Sequence, residues 1–319
     1  VEVLDLSDPT DPTQDSILEA SELVASEGSV VDSVGGTNSV DVRGDIVAAA
    51  IEADPATNDG AVAFYDAGSL EFLNAVQVGP LPDKVTISPD GSHVAVANEG
   101  EPGAETDPAG SVTIIDIEDG VESVSASTAT FTEFDGQEQE LREEGIHIVS
   151  QAEEPATFSQ SVEPEFVTFA TDSQSVFVSL QENNAIATID VDSASVTNVD
   201  GLGFKNFSLP GNELDTSDAD GPSPQRWPLL GLYQPDAIDA YEVAGQTYIL
   251  TANEGDAKDF EVSLLGDLDL DPAGFELSEN PYVDTVEELK EPQNLGNMEV
   301  NEAAMAEFAD PDEQGVYTD

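Results

Sequence analysis

Three segments of the chain share one pattern of strands and turns, and this internal repeat limits the fold more than any other feature. Each segment starts with proline and an acidic residue, forms an alternating strand, turns tightly, and runs through a second strand to a polar stretch that contains glutamate. A weaker fourth copy runs from Thr37 to Glu52. The three clear copies are LPDKVTISPDGSHVAVANEG from Leu81, EPEFVTFATDSQSVFVSLQENN from Glu163 and QPDAIDAYEVAGQTYILTANEG from Gln234.

Further strands follow these hairpins. The third strands are GAVAFYD at Gly60, GSVTIIDI at Gly110 and AIATIDV at Ala185, and SVTNVDGL at Ser195 is an example of a looser fourth strand. Units of four short strands with glycine and aspartate at the turns are typical of β-propeller blades. We therefore predict an all-β fold, a β-propeller of four-stranded blades that is seven-bladed when complete, with short helical insertions.

The repeats predict a single β-propeller domain over residues 1–319 that is truncated at both ends. The chain opens with VEVLDL, which has the pattern of a late strand of a blade, and stops at GVYTD. Residues 136–144, between Asp135 and Gly145, have the helix formers and flanking residues of a short helix. The predicted divisions are the end of a preceding blade (1–34), blades at 37–80, 81–135 and 163–202, a helical insertion (136–162), a long insertion (203–233), the start of a further blade (234–271), and a long loop with short helices (272–319).

The chain carries 68 acidic and only 7 basic residues, for a net charge of −61. At low salt such a chain repels itself, so we interpret it as a protein of a halophile. Nucleic acid and anionic membrane surfaces are poor partners for this field, whereas cations concentrate around it. The absence of cysteine excludes disulfides and thiolate metal sites. No run of about 18 apolar residues occurs, so we expect no direct membrane insertion.

The hairpin of each repeat is predicted to bring acidic residues together, because the start of its first strand lies beside the end of its second. If the first strand is innermost, the blades point these residues at one mouth of the central channel. The predicted mouth consists of the carboxylates of Glu52, Asp83, Glu99, Glu165, Glu182, Asp236 and Glu254, with the amides of Asn38, Asn98, Gln181 and Asn253 beside them.

Carboxylates forced together must raise their pKa values, bind a cation or stay hydrated. Oxygen ligands without histidine or cysteine suit calcium or magnesium, so calcium is the cofactor we expect, and no haem, flavin or nucleotide. The alternative is that acidic residues merely cap strand ends in a very acidic protein; the shared register of four repeats favours a functional mouth. A weaker calcium candidate is the loop LDTSDADG with Asp215, Asp218 and Asp220, where an ordinary Asx-turn is the favoured interpretation because EF-hand spacing is absent.

The few basic residues near these motifs have two explanations. Lys84, Lys205, Arg226 and Lys258 lie in or beside the repeats or the long insertion. Each either pairs with a buried acid or binds an anionic ligand. On the second explanation Lys205, Arg226 and Lys258 are candidate ligand-binding residues. No Gly-x-Ser-x-Gly, phosphate-binding loop or His-Glu-x-x-His motif occurs.

The chain resembles the choice-of-anchor I family over about residues 1–300, and five stretches carry the resemblance. They are LPDKVTISPDG with VAVANEGEP, EPEFVTF with VSLQENNAIATIDV, LGFKNFSLPGNELDTSDADG, WPLLGLYQPDAI and YILTANEGDAKDF. The resemblance implies a secreted or surface-anchored β-propeller of the YVTN kind, with further propeller sequence after Asp319. Animal relatives are labelled mesenchyme-specific cell surface glycoproteins, and many bacterial relatives are labelled alkaline phosphatase.

The chain departs from the family pattern at two places. It has Asn206-Phe207 within the stretch that is usually GFKDHSLPG, and Lys258 and Phe260 within the stretch that is usually GDARDY. If the family's histidine serves chemistry, this chain lacks it. The resemblance supplies no catalytic residue that can be placed on these positions.

These features favour an extracellular or cell-surface binding module of a halophile, with cations at the acidic mouth. The first alternative is a calcium-dependent phosphoesterase of the alkaline phosphatase type, in which the bound metal and Lys205, Arg226 and Lys258 hold an anionic or phosphate ligand. The second is a structural subunit of a surface assembly. The expected partners are cations, an anionic ligand held through a metal, and other surface proteins, but not nucleic acid.

Overall fold

The computed structural model describes residues 1–18, 20, 23, 30–103, 106–149, 157–217, 221–258, 262–270, 283–307 and 316–318. Within this part of the chain the fold is a β-propeller built from small sheets, three of them four-stranded and antiparallel throughout. The all-β prediction is therefore confirmed.

A two-stranded hairpin precedes three complete blades, and in each blade the strands pair with their neighbours in chain order. The hairpin consists of β1 (Glu2–Asp5) and β2 (Thr13–Ile17); the first blade of β3 (Val34–Arg43), β4 (Ile46–Ala53), β5 (Asp59–Asp66) and β6 (Phe72–Pro80); the second blade of β7 (Pro82–Ile87), β8 (His93–Asn98), β9 (Ser111–Asp116) and β10 (Ser125–Thr130); and the third blade of β11 (Pro164–Phe169), β12 (Ser175–Leu180), β13 (Ala185–Asp190) and β14 (Ser195–Gly201).

The remaining strands form smaller sheets. They are β15 (Phe204–Asn206), β16 (Leu229–Leu232), β17 (Pro235–Val243), β18 (Gln246–Asn253), β19 (Val262–Leu264), β20 (Glu299–Asn301) and β21 (Val316–Thr318). Strands β17 and β18 form the fourth predicted hairpin, β19 pairs with β20, and β16 lies between antiparallel β15 and parallel β21. The predicted long insertion thus contains two short strands.

Four short α-helices occur in the described residues: α1 (Glu138–Glu143), α2 (Phe158–Ser161), α3 (Val286–Leu289) and α4 (Glu302–Glu307). The helix predicted at 136–144 begins two residues late. Gly136 has φ +86°, which no right-handed helix allows. Asp135 does not cap the helix, because its carboxylate accepts hydrogen bonds from the Ser159 amide and hydroxyl instead.

The core runs through the middle strands of the blades. Strands β4, β5, β8, β9, β12 and β13 are buried over nearly their whole length, since the neighbouring blades cover both of their faces. The first strands of successive blades pack against one another in chain order, β3 on β7, β7 on β11 and β11 on β17. The Thr86 hydroxyl, for example, donates to the Val167 carbonyl at 2.9 Å. The first strands therefore bring the starts of all four hairpins together.

Gly110 marks a close contact between the second and third blades. A Cβ at this position would lie 2.2 Å from the Val162 carbonyl oxygen and 2.6 Å from Pro164 Cδ. We expect Gly110→Ala to lower the free energy of unfolding by about 2 kcal/mol, because backbone atoms cannot move aside cheaply. In Gly68→Ala the new Cβ would meet nothing closer than 3.5 Å, so that variant is the control. Urea unfolding measures the free energy of unfolding of both variants. Equal values would contradict the close contact between Gly110 and the third blade.

Candidate functional site

Each proline–acid pair lies at an irregularity at the start of a first strand. In the second blade Pro82 pairs with Asn98 but Lys84 pairs with Ala97, so Asp83 is an extra, bulged residue. Glu165 occupies the same kind of position after Pro164, and Asp236 lies in the corresponding irregularity after Pro235. The extra residue of a bulge is left out of the regular hydrogen-bonded pairing of the two strands. These three acidic residues are therefore unpaired, and all three lie at the same end of their sheets.

A cleft of about 260 Å³ opens at this end, between the second blade, the third blade and the segment after β18. We call it the acidic cleft. It is lined by Glu99, Glu101, Pro102, Glu163, Glu165, Gln181, Glu182, Asp256, Ala257 and Lys258.

Burial dominates the electrostatics of the acidic cleft. Together with the charge of Glu165 and neighbouring glutamates, burial raises the pKa of Glu99 to about 10. Burial and then the charge of Asp83 raise the pKa of Glu165 to about 8. The pKa of Glu182 is raised well above its ordinary value, again chiefly by burial and then by Glu163. Without a cation, these groups retain protons at a pH where exposed glutamates have lost them.

Glu182 has a buried oxygen without a hydrogen-bond partner among the described residues. Its side chain lines the acidic cleft, the residue is only 8% exposed, and its buried Oε2 finds no hydrogen-bond partner in the part of the chain that the structure describes. An unsatisfied buried oxygen costs free energy unless a ligand, proton or ion satisfies it.

Lys258 forms a buried ion pair with Glu163, and the two side chains are 8% and 6% exposed. The Lys258 ammonium also donates to the Ser161 carbonyl oxygen at 3.3 Å. Burial raises the pKa of Glu163, and the ammonium opposes that rise. The structure thus supports the pairing explanation for Lys258, which joins the segment after β18 to the third blade.

The other predicted carboxylates lie beside the acidic cleft. Burial, followed by the charge of Asp236, raises the pKa of Asp83, and burial followed by the charge of Glu254 raises that of Asp236. Glu254 accepts a hydrogen bond from Gln181 Nε2 at 3.3 Å. At the first blade, Asn38 Nδ2 lies 3.5 Å from Glu52 Oε2 and donates to the Pro82 carbonyl at 3.2 Å.

Lys84 is a basic residue close to Asp83 and Asp236. Its ammonium lies 4.2 Å from the centroid of the Phe166 ring, and its charge opposes the raised pKa values of Asp83 and Asp236. Aromatic contact holds the ammonium in place between two blades.

Several predicted site residues lie elsewhere. Asn98 is fully buried in the second blade, where its amide donates to the Ser111 and Thr113 hydroxyls. Asn253 is exposed at the end of β18. Lys205 and Arg226 do not line the acidic cleft; the Lys205 ammonium lies 5.1 Å from the Phe207 ring centroid, and the charge of Arg226 acts on Glu213.

The weaker calcium candidate loop gains no support from its described residue. The Asp215 carboxylate accepts a hydrogen bond from the Ser223 amide at 2.9 Å and so closes its own loop. Asp218 and Asp220 lie outside the described residues.

The expectation that Glu182 shares a register with Glu99 and Glu254 is wrong by one residue. Pro164 pairs with Leu180, whereas Pro82 pairs with Asn98 and Pro235 with Asn253. Gln181 is therefore the residue that corresponds to the two glutamates. The reason lies in the sequence: when Pro82 is aligned with Pro164 without gaps, Gln181 occupies the position of Glu99 and Glu182 that of Gly100.

Sequence reasoning missed Glu163, Glu101 and Asp256, and of these Glu163 is the buried one. The reason can be given for Glu163. It precedes the proline of its repeat, at the position of Leu81 and Gln234 in the other copies, so the repeat itself gives it no acidic signature. The only sequence feature that could have identified Glu163 is its charge, because the other copies of the motif have an uncharged residue at this position.

No preformed metal site is apparent in the described ranges: no group of three or more His, Cys, Asp or Glu side chains there is arranged to hold a metal ion. The carboxyl groups of the acidic cleft share one space without converging on one point. A cation would have to draw them together.

Comparisons with known proteins identify the family. The chain belongs to the choice-of-anchor I domain family, whose model matches residues 1–318. This family is associated with the cell surface. No curated protein sequence matches the chain. Among the described residues, no helix is both long and apolar enough to cross a membrane.

The chain is similar to several solved structures at low identity. A functionally unknown protein from Desulfotomaculum acetoxidans is 13% identical, with a TM-score of 0.37 over 62% of this chain and 48% of that one. Hydrazine synthase from Kuenenia stuttgartiensis is 10% identical, with a TM-score of 0.37 over 67% and 57% of the two chains. The β-propeller domain of the Trilobed protease from Pyrococcus furiosus is 11% identical, with a TM-score of 0.29 over 52% and 41%. The chain thus spans about half of the length of these proteins.

Proposed function

We propose that this choice-of-anchor I propeller is an extracellular binding module that holds a hard divalent cation, calcium, in the acidic cleft. The observation that carries the proposal is the buried Glu182 oxygen, which lines the cleft and has no partner among the described residues. Lys258 already neutralises Glu163. Glu99, Glu165 and Glu182 are therefore the carboxylates of buried or half-buried residues left for a cation, while Glu101 and Asp256 line the cleft as exposed residues.

The chemistry of the lining favours calcium over transition metals. Among the described lining residues every candidate ligand atom is oxygen, supplied by carboxylates, by the Gln181 amide and by backbone carbonyls. Calcium accepts six to eight such ligands in flexible geometry, so it tolerates carboxylates that must move to reach it. A bound cation would replace the protons on Glu99 and Glu182 and would reduce the repulsion between the two ionised carboxylates.

Calcium titration by calorimetry tests the proposal. We expect saturable binding to the whole chain in chelator-treated, high-salt buffer. The double variant Glu99→Gln/Glu182→Gln should weaken it at least about tenfold, because it removes two anionic ligands and keeps their shape. The matched control Glu118→Gln/Glu140→Gln changes two exposed glutamates by the same chemistry. Equal affinities of the two double variants, or no saturable binding to the unmodified chain, would reject the calcium site.

We infer that the protein works at high salt, because a net charge of −61 must be screened for the propeller to remain compact. The thermal unfolding midpoint should rise as KCl is increased from about 0.1 M to molar concentration, most steeply at the lower end where screening changes most. Differential scanning calorimetry at each KCl concentration measures the thermal unfolding midpoint. A midpoint that does not change with salt, or that falls, would contradict the halophilic origin.

The alternative functions receive less support from the geometry. A phosphoesterase would need cationic side chains beside the bound metal, whereas Lys205 and Arg226 lie outside the acidic cleft and Lys258 is paired with Glu163. Calcium-dependent hydrolysis of p-nitrophenyl phosphate that is lost in Glu99→Gln/Glu182→Gln would reinstate that alternative. Ordered assembly of the purified chain, measured by sedimentation, would favour a structural subunit.

A further inference from the structure

A second concave surface lies along the first blade, and it differs chemically from the acidic cleft. Its larger part is lined by residues 30–33 and the first blade, and its smaller part lies between the first and second blades. Two adjoining depressions, of about 440 and 330 Å³, share Asp59 and Gln77 as lining residues. We call the continuous depression the interblade groove. Each part alone has the volume of a small-molecule site.

The walls of the interblade groove are mostly neutral and polar. Thr128, Thr130 and Thr132 contribute hydroxyl groups to the smaller depression from β10 and the turn after it, and Asn58 contributes an amide to the larger one. Thr128 and Thr130 are two residues apart on one strand, so they point to the same side of the sheet. Of the described lining residues only Asp32 and Asp59 are acidic and none is basic, in a chain that has 68 acidic residues.

The floor of the interblade groove is built by a strand irregularity. Asp59 pairs with Pro80 but Ala61 pairs with Gln77, so Val78 and Gly79 together face Gly60 and β6 has one extra residue here. A Cβ on Gly79 would lie 2.8 Å from the Ser111 hydroxyl, so only glycine lets β6 approach the second blade this closely. The irregularity therefore joins the two blades beneath Asp59 and Gln77.

Asp59 and Gln77, which line both depressions, and Asn58 and Thr128, which line one each, are available to a ligand. Asp59, Gln77, Asn58 and Thr128 are exposed, and the hydrogen bonds within the described residues use none of their side chains. Together they offer a carboxylate acceptor, amide donors and acceptors, and a hydroxyl that both donates and accepts.

We propose that the interblade groove binds a neutral saccharide. Anionic ligands are repelled by the field of the whole chain, and the sparse acidic residues give cations a weaker site than the acidic cleft does. An apolar ligand would leave the amides and hydroxyls unpaired, which costs free energy. A neutral sugar presents adjacent hydroxyl groups that donate to Asp59 and exchange hydrogen bonds with Gln77, Asn58 and Thr128.

A glycan array tests the proposal with the whole chain in molar KCl. The array carries neutral oligosaccharides of glucose, galactose, mannose and N-acetylglucosamine beside sialylated and sulfated ones. We expect saturable binding to at least one neutral oligosaccharide and none to the anionic ones. Asp59→Ala/Gln77→Ala should weaken binding about tenfold or more, since it removes at least two hydrogen-bonding groups. Thr128→Val, which keeps the side-chain shape, should weaken it by a smaller factor.

The control Gln174→Ala/Asp192→Ala makes the same two chemical changes on exposed residues of the third blade and should leave binding unchanged. Thermal unfolding of every variant checks that the fold is intact. The proposal is overturned if no neutral oligosaccharide binds, if anionic oligosaccharides bind better, or if the two double variants bind equally well.

Discussion

Replacing Lys258 with methionine is expected to lower the free energy of unfolding by about 3 to 5 kcal/mol, which is what the loss of one partner from a buried ion pair costs. Methionine keeps the apolar stem but removes the ammonium, so the Glu163 carboxylate stays buried without a counter-charge. The Glu163 side chain is 6% exposed and cannot regain water without opening the contact between the segment after β18 and the third blade.

Two further variants separate the ion pair from other effects. Lys258→Met/Glu163→Gln removes both charges and should recover most of the lost stability, because no unpaired charge remains. Lys205→Met makes the same substitution at an exposed lysine over the Phe207 ring and should cost about 1 kcal/mol or less. Chemical unfolding in the presence of chelator measures all three. If the double variant is no more stable than Lys258→Met, the buried pair is not the cause of the loss.

In the absence of divalent cations, the propeller should lose stability steeply as the pH rises from about 5 to about 8. Glu99 and Glu165 have native pKa values of about 10 and about 8, and their unfolded values are near 4.5. Above pH 4.5 the unfolded chain releases these protons while the native protein keeps them. Unfolding then releases protons, so raising the pH favours it, by about 1.4 kcal/mol per pH unit for each group.

The loss should end for Glu165 near pH 8 and for Glu99 near pH 10, where the native groups also ionise. Summed over this range, the effect approaches the whole free energy of unfolding of an ordinary domain. Calcium should reduce it, because a cation stabilises the ionised carboxylates of the native state only. Glu99→Gln/Glu165→Gln should reduce the slope of stability against pH in chelator, while Glu182 and Glu163, whose pKa values are also raised, supply the remaining slope. Unfolding measured at several pH values tests this, and a slope that is unchanged in the double variant would refute the assignment to Glu99 and Glu165.

The repeated motif is sufficient to predict the blades because every copy carries the same local signals. Proline followed by an acid specifies the start of a first strand, and the alternating hairpin after it fixes which ends meet. These two signals are enough to place Asp83, Glu165 and Asp236 at one end of the sheets. The same local pattern explains why the bulges that turn these acids outward recur after Pro82, Pro164 and Pro235.

The features that the sequence could not supply depend on contacts between distant residues. Lys258 and Glu163 are 95 positions apart, and no local pattern links them. The parallel pairing of β16 with β21 joins two short strands that lie far apart in the chain, too short to have a periodicity. The displacement of Glu182, by contrast, is visible in the sequence, because a gap-free alignment on Pro82 and Pro164 places Gln181 opposite Glu99.

The neutral character of the interblade groove has no signature in the sequence either. Thr128, Thr130 and Gln77 are ordinary polar residues of outer strands, and only the approach of two blades brings them to one depression. The acidic composition of the chain predicts a charged surface everywhere. The interblade groove differs because few of its lining residues are charged.

The most direct measurement of the central claim is a crystal structure of the protein soaked with terbium, a calcium substitute whose anomalous scattering locates it unambiguously. We expect an anomalous peak in the acidic cleft, with carboxylate oxygens of Glu99 and Glu182 within bonding distance and the Lys258–Glu163 pair intact. An acidic cleft without a peak, with Glu182 Oε2 bonded only to water or to a protein donor, would contradict the account.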